Sequence, residues 1–421
     1  MPRLNRRALA WFLFIAPAIQ AQTAMTWEQV RERFRANNPT LAATGVLVDE
    51  SKASEITAYL RPNPDVSLSV DGVQVSRGNG VWRPLSGVVE TPGVNYLHER
   101  NHQRELRRES AQKATGIAEL NVVDQERTLL FNLRSAFVQT LQAKAVRQNA
   151  EENLAYWDRE ISVSQDRFNA GDMAEVDLKR LRLQRVTYES DRETALISLR
   201  TAKIQLLQLM NSRTPVDTFD VAGSYDFNET IAPPDEARNL AMTTRPDLKV
   251  AMQAIDKAKT DHRLAIANGS ADPTFSLWFS HNPSFSNPFA NETIGGSVSV
   301  PLRVFDRNQG EKARTQLDIG RTEKLLSASQ AQVFSDVDSA YVAVTGALNL
   351  LRPYKADYLP QAEQVRDTVA FAYQNGGASL LDFLDAQKAY RDIRLSYLNL
   401  IGSYLSAVSQ LNLAVGTEVI P

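Results

Sequence analysis

The chain is written twice, and that duplication limits what it can fold into more than any other feature. "NNPTLAATGVLVDESKASEITA" near the start returns as "TRPDLKVAMQAIDKAKTDHRLA", matching Pro39 with Pro246, Leu41 with Leu248, Asp49 with Asp256 and Lys52 with Lys259. Further on, "RFNAGDMAEVDL" returns as "AYQNGGASLLDF", which sets Gly171 against Gly376 and Asp177 against Asp382. Each copy is a unit of about 200 residues, far above the ~20–50-residue period of a solenoid. Two pseudo-symmetric halves are therefore expected.

Each half carries the same plan. A helix of about 25 residues leads to a proline-containing loop, "LRPNPD" in one copy and "NGSADP" in the other. Short segments with period-two alternation follow. "DVSLSVDGVQV" puts Val66, Leu68 and Val70 opposite Ser67, Ser69 and Asp71. "TFSLWF" and "TIGGSVSVP" likewise set Phe275, Leu277, Phe279, Ile294, Val298 and Val300 against small polar residues and Trp278. Alternation between turn clusters such as "SRGNG" and "HNPSFSNPFAN" predicts a hairpin in each half. Strands of about 8–11 residues with one small polar face suit a barrel with a wet interior and a lipid-facing exterior, and equally a small soluble sheet packed on helices.

Beyond each hairpin the pattern is strongly helical. No proline stands between Glu99 and Phe168, and a helix of roughly 70 residues would reach about 105 Å. The matching stretch of the second half contains Pro353 and Pro360, which should kink or end it. After glycine turns at Gly171 and Gly376–Gly377 the chain returns along a helix of about 35 residues. Tyr390, Ile393, Tyr397, Leu400, Tyr404, Val408, Leu411 and Val415 form a coiled-coil-like seam on the last one. Asn211 and Gly416 are placed to close the return helices as left-handed caps.

The expected organisation is a leader over 1–24, a first repeat over 25–211, a linker over 212–233, a second repeat over 234–416 and a tail over 417–421. Strands fall at about 64–92 and 273–301, and helical turns near 171 and 376. The leader sets Arg3, Arg6 and Arg7 before an apolar run from Ala8 to Ile19, too short to span a bilayer; it reads as a secretory signal cleaved after Ala21 or Ala24. The leader predicts an exported protein, and the absence of cysteine one that relies on packing or assembly rather than disulfides and carries no lipid anchor. A formal net charge of −2 gives no general reason to expect nucleic acid as a partner.

Two hairpins supply too few strands for a closed transmembrane barrel, which needs about eight. An open sheet in lipid would leave edge N–H and C=O groups unpaired, each at a cost of several kcal/mol. Strands in a membrane therefore predict an oligomer of unspecified number. A periplasmic coiled-coil scaffold or adaptor is the alternative.

The duplicated helix–hairpin–long helix–turn–helix plan, with "YQNGGASLLDFLDAQ" at its second helical turn, resembles the TolC-type outer-membrane efflux proteins. "VSVPLRVFDRNQG", residues 298–310, is similar to the strand-to-helix junction of their cobalt–zinc–cadmium branch. The resemblance implies a mainly α fold with transmembrane β structure: a homotrimer with a twelve-stranded barrel in the outer membrane lipid of a Gram-negative bacterium, over a long α-helical tunnel in the periplasm. It also implies a periplasmic adaptor and an inner-membrane pump of the resistance–nodulation–division type as partners. The channel would be a passive duct, not an enzyme, with no cofactor, and its cargo could be divalent metal cations.

"HERNH" at 98–102 matches the H-E-x-x-H pattern of zinc proteases. The repeat argues against that chemistry. "FDRNQ" occupies the same place in the second half without either His98 or His102, so the shared element is an acid-Arg-Asn start to the long helix, its carboxylate expected near the helix N-terminus. A third ligand is also missing, since Glu119 lies about 25 Å further along the same helix. No metal site is expected.

For a channel the important residues set pore width and charge. Asp382 and Asp385 are three apart and share a helical face. The resemblance implies that aspartates at these matching positions form rings at the periplasmic constriction. Six carboxylates in a trimer would raise one another's pKa values and attract cations; acids near a helix start are also favoured by the dipole alone. The first-half counterparts are Asp177 and Arg180, with an Arg180–aspartate pair between helices as a possible gate. The turns at Gly171, Asp172, Gly376 and Gly377 are the expected adaptor contacts.

Overall fold

A computed structural model describes residues 24–282 and 291–420. The expected leader lies almost wholly outside these residues, as does most of the "HNPSFSNPFAN" turn.

The leading helix of each half is two helices broken at a proline. α1 (Trp27–Asn37) opens with a capping box between Thr26 and Gln29, and α2 (Pro39–Tyr59) starts at the N-cap Asn38. The second half repeats this as α5 (Pro234–Thr244) and α6 (Pro246–Ala267). A proline suits the first helical position but drives the residue before it out of the helical region. That preceding residue reaches the end of its own half's return helix in both copies. Asn38 Nδ2 donates to Leu209 O at 2.9 Å, and Arg245 donates to Ala414 O at 3.1 Å while bridging Asp247 and Asp336. Both leading helix pairs are thus tied to a return helix at the residue before their proline.

Four strands form one antiparallel sheet in the order β1 (Asp65–Asp71), β2 (Val89–Leu97), β3 (Thr274–His281) and β4 (Glu292–Ser299). The first hairpin differs from expectation. β1 stops at Asp71 because Gly72 takes a φ of +82°, where a Cβ would lie 2.2 Å from Gly87 O. The connection is a long arm clipped by Gln74, which donates to Val81 O at 3.0 Å and accepts from Arg83 N at 2.7 Å, with Gly78 and Val81 paired in its tip. β2 consequently runs on to Leu97, past the expected end near 92. Register places Val66, Leu68, Val94, Tyr96, Phe275, Leu277, Ile294 and Val298 on one face, and Ser67, Ser69, Thr91, Ser276, Ser280 and Ser297 on the other. The apolar face is bare: Val66 is 83% and Ile294 77% exposed. Trp278 lies on the polar face, flanked across the register by Gly93 and Gly295.

α3 (Gln103–Asn169) is a single helix of 67 residues, about 100 Å long, and α4 (Glu175–Leu209) returns along it. α7 (Gln309–Pro353) and α8 (Leu359–Gln374) are its second-half counterpart, joined through one π turn, Tyr354–Tyr358. The two prolines thus widen one turn rather than end the helix: Pro360 sits in the first turn of α8, where its missing N–H is no loss. α9 (Leu380–Val415) buries Tyr390, Tyr404, Val408, Leu411 and Val415 of the expected seam. Asn211 and Gly416 are left-handed, with φ of +50° and +86°.

The long helices start later than Glu99 and Asp306. Asn101, His102 and Asn308 adopt left-handed φ values, so α3 begins at Gln103 and α7 at Gln309. The acids do not cap these helices. Glu99 binds Arg107 (Oε2 to Nη2, 2.8 Å), and Asp306 Oδ1 accepts from Asn308 N at 2.8 Å in a local turn. Apolar packing gathers in three clusters: one around Phe34, Leu133 and Leu206, a second around Val337, Tyr404 and Leu411, and a third near the helical turns around Trp157 and Phe383.

Candidate channel constriction

The third cluster holds the two helical turns together. Trp157 of α3, Leu181 and Tyr188 of α4, Tyr373 of α8 and Phe383 of α9 share one core. Tyr373 stacks on Phe383 at 4.8 Å, Trp157 meets Phe383 edge-on at 5.9 Å, and the Arg167 guanidinium lies 5.5 Å over Tyr373. Leu380, Phe383, Ala386, Gln387 and Tyr390 form the buried stripe of α9, so Asp382 and Asp385 are left on its exposed side. The heptad-like pattern that buries Phe383 is what presents the two acids outward.

Asp382 also builds the helix start. Ser379 is the N-cap; its Oγ accepts from Asp382 N at 3.2 Å, and Asp382 Oδ2 accepts from Ser379 Oγ at 2.7 Å and Ser379 N at 3.1 Å. These bonds, from the hydroxyl first and the backbone N–H second, hold the Asp382 carboxyl below the usual aspartate range. Within one protomer its displacement is therefore downward, opposite to the repulsion-driven rise expected of a ring of carboxylates. Arg180 pairs with Asp177 on its own helix at 3.8 Å, so within one protomer it does not form the interhelical gate considered above. Gly171 and Gly376 are left-handed, with φ of +86° and +76°, and lie with Asp172 and Gly377 on the exposed turns.

Sequence reasoning missed a buried polar group behind this tip. Glu160 of α3 is 9% exposed and accepts from Gln374 Nε2 at 3.4 Å, while Gln387 Nε2 donates to the Tyr156 hydroxyl at 2.9 Å. Burial raises both the Glu160 and Tyr156 pKa values. Their spacing of four residues on α3 was a weak signal, since on a helix this polar long it looks like a solvated face. Neighbouring Arg366 stacks 4.0 Å over the Tyr390 ring, and Arg394 donates to Glu152 Oε2 at 2.6 Å and to Tyr390 Oη at 2.8 Å.

The "HERNH" segment does not form a protease site. His98 follows the end of β2, its N–H donating to Pro273 O at 2.9 Å, and His102 is a left-handed residue before α3 with an 86% exposed side chain. The two imidazoles therefore do not share a helical face. Among the described residues no group of three or more His, Cys, Asp or Glu side chains is placed to hold a metal ion. No described helix is long and apolar enough to cross a membrane, a statement that leaves β-barrels aside.

Comparison with known proteins bears on the fold. Residues 237–417 match the family model described as "Outer membrane efflux protein". The TolC protein of Escherichia coli is 23% identical over 94% of this chain and 83% of its own length. The solved structure of CusC superposes with a TM-score of 0.78 over 99% of each chain at 17% identity, a likeness that speaks for the fold. The family match over residues 237–417, these relatives and the shared fold together support an outer-membrane efflux channel of the TolC type, not an enzyme, in the outer membrane of a Gram-negative bacterium and extending into the periplasm. Within that class it resembles the cobalt-zinc-cadmium resistance protein CzcC of Cupriavidus metallidurans, with 22% identity over 94% of this chain and 91% of the relative.

Proposed function

We propose that three copies of this chain close their sheets into one twelve-stranded barrel, and that Asp382 and Asp385 of each copy ring the periplasmic mouth of the duct. One observation carries the reading. The four-stranded sheet has a bare apolar face and two unpaired edges, β1 and β4. In lipid those edges must find partners, and an edge-to-edge ring of identical sheets satisfies all of them by closed symmetry. The exposed apolar residues of α4 (Leu183, Val186, Ile197) and α7 (Leu317, Val342, Leu350) suit burial against neighbouring copies in the same ring.

The exposed turns at Gly171–Asp172 and Gly376–Gly377 then point away from the membrane, where a periplasmic adaptor of an inner-membrane resistance–nodulation–division pump can reach them. The likeness to CzcC favours divalent metal cations as cargo. Carboxylates at a constriction attract such ions and slow their passage. The test is single-channel recording in planar bilayers. Asp382→Ala with Asp385→Ala should reduce cation selectivity and divalent block; traces identical to the unaltered channel would remove the two aspartates from the constriction.

A further inference from the structure

The apolar face of the sheet ends at the periplasmic side in Tyr96 and Phe275, which pair across the register, with the His98 ring edge-on to Phe275 at 6.4 Å. Immediately beyond them is a cleft of ≈ 320 Å³ lined by Arg61, Tyr96, His98, Arg100, His102 and Arg104. By strand alternation His98 continues the side of Val94 and Tyr96, so the cleft opens on the face that the barrel turns to lipid.

Its charges are unbalanced. The two acids there are already matched: Glu99 by Arg107 at 2.8 Å and Glu105 by Arg104 at 3.0 Å. Arg61 and Arg100 make no ion pair among the described residues, although Arg100 donates from its guanidinium to Ala271 O and from its backbone N–H to Asp272 Oδ1 at 3.0 Å, and two imidazoles stand beside them. Such a surplus of donors below an aromatic row is what a phosphodiester at the membrane–water boundary would complement. The second repeat has no histidines at this junction. It exposes apolar groups instead, with Phe305 91% and Leu302 86% exposed. The two junctions together continue the lipid-facing surface below the strands.

We infer that this cleft binds the headgroup of an anionic phospholipid in the periplasmic leaflet of the outer membrane, one per protomer, with Arg61 and Arg100 as its principal cationic contacts. The inference rests on the barrel reading above. It gives the HERN segment a role at the membrane boundary in place of a metal.

The test is native mass spectrometry of the detergent-purified full-length oligomer, titrated separately with dioleoyl phosphatidylglycerol and dioleoyl phosphatidylcholine. Phosphatidylglycerol should be retained at least fivefold better, and Arg61→Gln with Arg100→Gln should bring it down to the phosphatidylcholine level. Equal retention of the two lipids by the unaltered protein overturns the proposal, whether or not the variant assembles. So does undiminished selectivity in an assembled variant. Because the chain has no cysteine, His102→Cys gives a single site for a soluble maleimide. Failure of the folded oligomer to react would show that a neighbouring copy fills the cleft, which also overturns the proposal. A detergent-dependent oligomer that ignores lipid charge defeats this inference alone, whereas a protein soluble without detergent defeats the barrel reading itself.

Discussion

Phe383 is fully buried between two exposed aspartates, and that contrast sets the behaviour of the tip. Its ring touches Tyr373 and Trp157 and so links the turn regions of both halves. Phe383→Ala should cost roughly 3–5 kcal/mol of stability, read as a lower denaturant midpoint. A loss below about 1 kcal/mol, within the range of surface substitutions, would mean that the cluster does not hold the turns together. Glu160 gives a pH signature. Burial raises its carboxyl pKa, so the folded chain holds that proton more tightly than the unfolded chain does. Its contribution to stability is therefore highest at low pH and falls as pH rises above about 4, where an unfolded glutamate ionises. Above the raised folded value it stays constant. Glu160→Gln should unfold at a higher temperature than the parent at pH 7, with the gap closing near pH 3–4. A gap of the same size at both pH values would contradict the buried assignment.

At the scale of elements, the sheet contains a testable pair. A Cβ built on Gly295 would lie 2.5 Å from Cε2 of the Trp278 indole, which rests on that glycine from the next strand. Gly295→Val should lower the yield of folded oligomer, and Trp278→Ala on the same chain should restore most of it; simple additivity of the two losses would refute the contact. The turn glycines act locally. Gly171→Ala, at a φ of +86° with open space around it, should destabilise by about 1–2 kcal/mol through backbone strain alone, read as a lower denaturant midpoint. Much of this layer was legible in advance. The proline-free run announced α3, the period-two segments announced the strands, and Asn211 and Gly416 announced the helix ends. The π turn at Tyr354–Tyr358 was not legible, because Pro353 and Pro360 signal an interruption without saying whether the helix recovers. The long arm at 72–88 escaped because "SRGNG" carries the composition of a tight turn. The core of the tip escaped too, since Trp157, Tyr373 and Phe383 meet only after three helices have packed. Asp382 was found as an acid on an exposed face, but its role in the Ser379 cap depended on geometry.

For the whole molecule, the duplication explains why one chain supplies two hairpins and four long helical rods. Each half ties its leading helix to the end of its own return helix, through Asn38 in one and Arg245 in the other. The halves then share the sheet through β2 and β3. A single chain leaves unsatisfied, among other exposed apolar groups, two strand edges, an apolar sheet face and apolar residues on α4 and α7, surfaces that identical neighbours or lipid can cover. The direct measurement is the mass of the processed protein by light scattering, first after extraction in mild detergent and then after transfer to detergent-free buffer. The account predicts a stable particle of three protomers in detergent that precipitates when the detergent is withdrawn. A monodisperse single subunit in plain buffer would contradict it.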